Sequence, residues 1–175
     1  MIAELLPNVY SMRLDITYDR SDIWQYVSYC RYEKLHYRYC IYINNRKEVW
    51  KRLTHPSTHP YWQFRYCKII NDREEIWRAL VRSNHRNASK WQYWYCHHVN
   101  DRPEVWKALA NSVQHNACEY QYLYCRNVKD REDVWRALAN NHNPHAAYWR
   151  SQYRSNVKNR VEMKRIKPKR ANLTW

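Results

Sequence analysis

Glycine is absent from this chain of 175 residues, and phenylalanine occurs once. Without glycine no glycine-rich loop can bring backbone N–H groups around a phosphate. The left-handed turn positions that tight β-hairpins rely on also lose their natural occupant. No apolar run approaches the roughly 18 to 20 residues that cross a membrane. Residues 1–10 lack the basic stretch and apolar core of a secretory signal. Acidic groups are scarce as well, with 16 Asp and Glu against 31 Lys and Arg and a net charge of +15. These shortages argue against a nucleotide-loop enzyme, a hairpin-rich β fold and membrane insertion. The expected setting is a reducing intracellular environment or the inside of an assembly, not secretion.

The chain is rich in Tyr, with 17, and in Trp, with 10, and many of them recur at fixed intervals. Trp77, Trp106 and Trp135 are spaced by 29 residues; Trp50 precedes the first by 27, and Trp24 precedes that by 26. Four residues before each stands an arginine, namely Arg20, Arg46, Arg73, Arg102 and Arg131, and Arg160 continues the series. Such a ladder marks a tandem repeat.

Each period holds two elements. The second, as in DREEIWRAL, DRPEVWKAL and DREDVWRAL, has the apolar spacing of a short amphipathic helix. Asp72, Asp101 and Asp130 stand three residues before Glu75, Glu104 and Asp133, the spacing of a capping box with Asp as N-cap. Pro103 suits a first helical turn. The first element admits two readings. Segments such as WQYWYCHHV favour a strand by composition. The columns Ala88, Trp91, Tyr95, Val99 and Ala117, Tyr120, Tyr124, Val128 step by three and four, which makes one helical face. The spacing leaves one or two residues, such as Asn100 and Asp101, for the corner between the elements, and Asn143 with Pro144 reads as cap and first position of the last such helix.

The expected fold is therefore all-α, with tandem two-helix repeats of about 29 residues stacked as a short solenoid; a βα repeat is the alternative. Residues 1–157 would form about six units, the first and last degenerate, and residues 158–175 a basic C-terminal tail. Helices this short are marginal in isolation, so stacking has to supply their stability.

Along the sequence the charge is uneven, with nine basic residues against one acidic in 148–175 and near balance in 90–147. Lys164, Arg165, Lys167, Lys169 and Arg170 of the tail, and Arg73, Arg102 and Arg131 of the ladder, are the candidate contacts for DNA, RNA or another anion. Because each ladder arginine adjoins acidic residues, pairing within the array competes with that role. Tyr93, Trp94, Tyr122 and Leu123 lie off the main apolar stripe and are the candidate protein interface, although a thicker core would also use them.

Cys40, Cys67, Cys96 and Cys125 form one column whose spacing fits neither a zinc site nor a redox pair, and small apolar filler is the expected role. Histidines collect in the polar connectors without a carboxylate at ligand spacing. Neither a metal nor a cofactor is expected, and no catalytic constellation converges.

The segments NASKWQYWYCHHVNDRPEVWKALA and NPHAAYWRSQYRSNVKNRVEMKRI resemble short helical repeats in uncharacterised proteins of phages, large DNA viruses and bacteria. Ala88, Tyr95, Val99, Arg102 and Glu104 match that pattern; Cys96 replaces an alanine, and Asp101 replaces a glycine, so the corner differs. The resemblance implies a repeat architecture and a viral setting, and no activity. Together these features lead to the expectation of a non-catalytic scaffold with protein partners in a larger assembly. The alternative is a nucleic-acid-binding module using the tail and the arginine ladder.

Overall fold

A computed structural model describes Asp19 and residues 21–157. Every regular element among them is helical. The odd-numbered helices are α1 (Ser21–Tyr29), α3 (Lys47–Trp50, continued by a 3₁₀ turn Lys51–Thr54), α5 (Glu74–Val81), α7 (Pro103–Ala110) and α9 (Glu132–Asn140). The even-numbered helices are α2 (Glu33–Tyr42), α4 (Pro60–Ile69), α6 (Ala88–His98), α8 (Ala117–Asn127) and α10 (Ala146–Asn156). Each even helix packs on the next even helix, each odd helix on the next odd one, and neighbours in sequence pack across the two layers.

The odd helices bury a narrow stripe. Ile76, Trp77 and Leu80 in α5 recur as Val105, Trp106 and Leu109 in α7 and as Val134, Trp135 and Leu138 in α9, all within the core. The even helices bury more of their circumference: α6 buries Ala88, Ser89, Gln92, Tyr93, Tyr95 and Cys96. One part of that surface faces the odd layer, and another faces the neighbouring even helix. The strand alternative for these segments falls here, because buried positions stepping by three and four cannot alternate across a pleat.

Three local expectations are corrected. The N-cap residues of α3, α5, α7 and α9 are Arg46, Arg73, Arg102 and Arg131, without a side-chain cap hydrogen bond, so Asp72, Asp101 and Asp130 close no capping box. The corner between α6 and α7 spans four residues, 99–102, not one or two. α10 begins at Ala146 after a turn in which the Ala146 N–H donates to the Asn143 carbonyl, so Asn143 and Pro144 precede the helix instead of opening it. The corners close with no positive φ among the described residues, as a chain without glycine requires. At the α6–α7 corner the Val99 and Asn100 N–H groups both donate to the Tyr95 carbonyl, and Arg102 N–H donates to Asn100.

A polar column missed by the apolar pattern ties the layers together. Gln63, Gln92 and Gln121 donate through Nε2 to the carbonyls of Leu53, Leu80 and Leu109, at 3.0, 3.2 and 3.1 Å. Each amide thus satisfies an orphan carbonyl at the end of the preceding odd element. His36 fills the same position in α2 and meets the Val27 carbonyl at 2.9 Å, which places the ring proton on Nε2. Arg150 fills it in α10 and donates to Ala139 and Asn141.

Candidate interaction surfaces

The most regular polar geometry lies where one helix pair meets the next. Asp72, at the corner before α5, accepts a 2.6 Å hydrogen bond from the Tyr95 hydroxyl of α6 and a 2.7 Å charged bond from Nη2 of Arg102, thirty residues ahead. Arg102 Nε also donates to the Tyr95 oxygen at 2.8 Å, and its guanidinium carbon stands 5.1 Å from the ring centre of Trp77. The cluster recurs as Asp101, Tyr124, Arg131 and Trp106, with Arg131 donating to Asp101 at 2.6 Å and lying 4.7 Å from the Trp106 ring. Asp19, Tyr39, Arg46 and Trp24 repeat it near the start. The carboxylate of one period thereby binds the tyrosine and arginine of the next.

The electrostatics follow from that geometry. Arg46 holds the Asp19 carboxyl well below the usual carboxylate range, with Tyr39 assisting. Burial raises the Tyr95 and Tyr124 phenols, and the accepting carboxylates raise them further. Asp72 and Arg102 keep 24% and 32% of their side-chain exposure, so solvent screens the pair. Two of the three ladder arginines proposed for nucleic acid, Arg102 and Arg131, are therefore committed to carboxylates.

Arg73 differs. The residue at the aspartate position is Asn45, whose Oδ1 accepts from the Tyr66 hydroxyl at 2.6 Å. Arg73 donates to the same hydroxyl at 2.8 Å and stacks 4.8 Å from Trp50, and among the described residues it has no carboxylate in ion-pair range.

The four residues of the candidate protein interface divide. Tyr93 and Tyr122 are 3% and 2% exposed and belong to the core. Tyr93 packs on Tyr120 at 5.8 Å, Tyr122 on Trp149 at 5.3 Å, and their hydroxyls accept from Asn127 and Asn156. They join successive even helices and leave no ring for a partner. Trp94 and Leu123 are half-buried at the outer surface. Tyr37 on Trp62 at 5.4 Å and Phe64 on Trp91 at 5.4 Å continue the same aromatic seam across α2, α4 and α6.

The charge sorts by layer, which a count along the chain conceals. In the even helices, eight cations (Lys34, Arg38, Arg65, Lys68, Lys90, Arg126, Arg150, Arg154) face two carboxylates, Glu33 and Glu119. The odd elements hold six cations against seven carboxylates. Every ion pair among the described residues lies in the odd layer or at the junctions, including the i,i+4 pairs Arg78–Glu74 and Arg136–Glu132.

Cys40, Cys67, Cys96 and Cys125 are buried thiols, and burial pushes Cys40 up to about 12, far from a reactive thiolate. His59 and His85 approach to 4.3 Å between ring centres, and His115 and His145 to 5.0 Å, but no group of three metal-ligating side chains forms among the described residues. A depression between α1 and α3 is lined by Trp24, Tyr29, Glu48 and Arg52, with Glu48 its one carboxylate. No helix is long and apolar enough to cross a membrane, among the described residues. Lys164, Arg165, Lys167, Lys169 and Arg170 lie outside the described residues. Comparison with protein families, with curated proteins and with solved structures finds no match.

Proposed function

We propose that the chain is a non-catalytic scaffold, built of tandem two-helix repeats of about 29 residues stacked as a short solenoid, that holds its partners within a larger assembly. The junction cluster carries this reading. The same four side chains, carboxylate, tyrosine, arginine and tryptophan, recur at the Asp72 and Asp101 junctions with the same bonds. Their polar atoms are spent on one another, which suits architecture and leaves no acid, base and nucleophile converging on a shared space.

Modularity gives the architectural test. Deleting residues 102–130 joins Asp101 to Arg131 and offers Arg131 to Asp72 across the shortened junction, so the product should unfold cooperatively with a lower midpoint. A chain that loses its helical signal on that deletion sinks the repeat reading. The functional test is native mass measurement of complexes isolated from the source. A defined complex of fixed stoichiometry is expected, and a monomer that turns over a substrate overturns the scaffold.

A further inference from the structure

The outward face of the first three even helices is unlike the rest of the surface. Positions stepping by four and three place Lys34 and Arg38 on that face of α2, Tyr61, Arg65 and Lys68 on α4, and Lys90, Trp94 and His97 on α6. These helices are neighbours, so their faces adjoin. The charge pattern ends at α8, where Glu119 stands at the position of Lys90 and Leu123 at that of Trp94. We propose that this face is a track for single-stranded nucleic acid, with Lys34, Arg38, Arg65, Lys68 and Lys90 meeting the backbone and Trp94 meeting a base. The proposal rests on the scaffold reading and names its partner.

Uncompensated charge is the first support. None of the five cations has a carboxylate in ion-pair range among the described residues, whereas in the odd elements Arg78 and Arg136 pair with Glu74 and Glu132 and the seven carboxylates outnumber the six cations. Packing such cations side by side costs repulsion that a bound polyanion removes. The histidines are shifted in the same direction: burial lowers His98, and His97 and then Lys68 lower it further, while burial and then His85 lower His59, with Arg86 and Lys90 adding to that against the opposite effect of Glu33.

The second support is the aromatic seam beneath the cations. Arg65 lies 5.6 and 5.9 Å from the ring centres of Tyr37 and Tyr61, Lys90 lies 5.0 Å from Trp91, and Lys68 lies 5.8 Å from Phe64. Trp94 lies parallel to His98 at 4.7 Å and 6°, a two-ring stack that a base can extend. Cations beside the half-buried rings of Tyr61, Trp91 and Trp94 match a strand whose bases are unpaired. A duplex hides its base faces, and an acidic peptide brings carboxylates without a succession of bases to stack. With helices roughly 10 Å apart, the track is about 20 Å long.

The test uses the full chain and a fluorescently labelled 20-nucleotide oligo-dT, read by anisotropy across a salt series. Each backbone contact contributes about 0.7 to the slope of log affinity against log salt. The triple variant R38Q/K68Q/K90Q should therefore flatten the slope by about 2, while K47Q/K51Q/K107Q on the odd surface leaves it unchanged. W94L should weaken binding about tenfold at unchanged slope, since base stacking is the interaction removed. Circular dichroism identical to the parent shows that these exposed changes leave the fold intact. Three results overturn the track: an unaffected R38Q/K68Q/K90Q variant, a slope lost entirely on K164Q/R165Q/K167Q, or tighter binding of the matching duplex. Failure to bind any oligonucleotide, with a defined native protein complex still present, removes the partner and leaves the scaffold.

Discussion

The junction arginines and the outward cations of the even helices carry the same charge in opposite circumstances. Arg102 and Arg131 each have a carboxylate, a tyrosine oxygen and an indole face within reach. Lys34, Arg38 and Lys68 are exposed, and Lys68 lies over a ring. The first group stabilises the fold and contributes little to an external field, because each charge is cancelled at about 3 Å. The second group contributes little to stability and leaves its field outside. What a cation does in this molecule is set by what the fold brings opposite it. The junctions teach the same lesson internally, since the Asn45–Tyr66–Arg73 cluster keeps the hydroxyl bonds and loses the ion pair.

Breaking a junction at its apolar base has the largest expected effect. Trp106 is buried against the core beneath Arg131, so Trp106→Ala should cost about 3–5 kcal/mol in denaturant unfolding. A loss under about 1 kcal/mol would show that the junctions do not hold the helix pairs together. Asp101→Asn converts a complete junction into a copy of the Asn45 kind, keeping an acceptor for Tyr124 and removing the one for Arg131. The expected loss is about 1–2 kcal/mol, reduced from the buried-pair range because both side chains keep about a quarter of their exposure. The reverse change, Asn45→Asp, should gain less than about 1 kcal/mol, and the gain should shrink as salt rises. An equal response of stability to Asp101→Asn and to the outward change Lys68→Gln would erase the distinction between the two kinds of cation.

The smallest effect is a pH dependence. Burial lowers His36 and His59 below the ordinary 6.5, and the His59 Nδ1 accepts the Tyr61 N–H at the start of α4. The unfolded chain therefore takes up protons at these sites before the folded chain does. Their contribution is complete above pH 6.5 and is lost as pH falls through the folded-state values. Unfolding midpoints measured from pH 7.5 to 5 should decline, and His59→Asn, which retains a side-chain acceptor near the Tyr61 N–H, should flatten the decline. A profile identical in that variant would remove His59 from the account.

The period, the odd helices and the cysteine column could be read from the residues, because helical spacing and burial are properties of a short stretch. Sequence by itself determined the regular spacing of Trp77, Trp106 and Trp135 and the helical spacing that makes Ile76, Trp77 and Leu80 and their counterparts a buried stripe. It could not determine the partner of Asp72. The local capping spacing to Glu75 competes with an arginine thirty residues away, and only packing of α6 against α5 brings Tyr95 and Arg102 to the carboxylate. Nor could it distinguish Tyr93 from Trp94, adjacent residues of which one meets the next even helix and the other meets solvent. The charge was the least legible of all, since a count along the chain mixes the two layers within every period. Tertiary structure separates them, because electrostatic fields depend on distance in space, and thirty residues of chain can close to 2.7 Å.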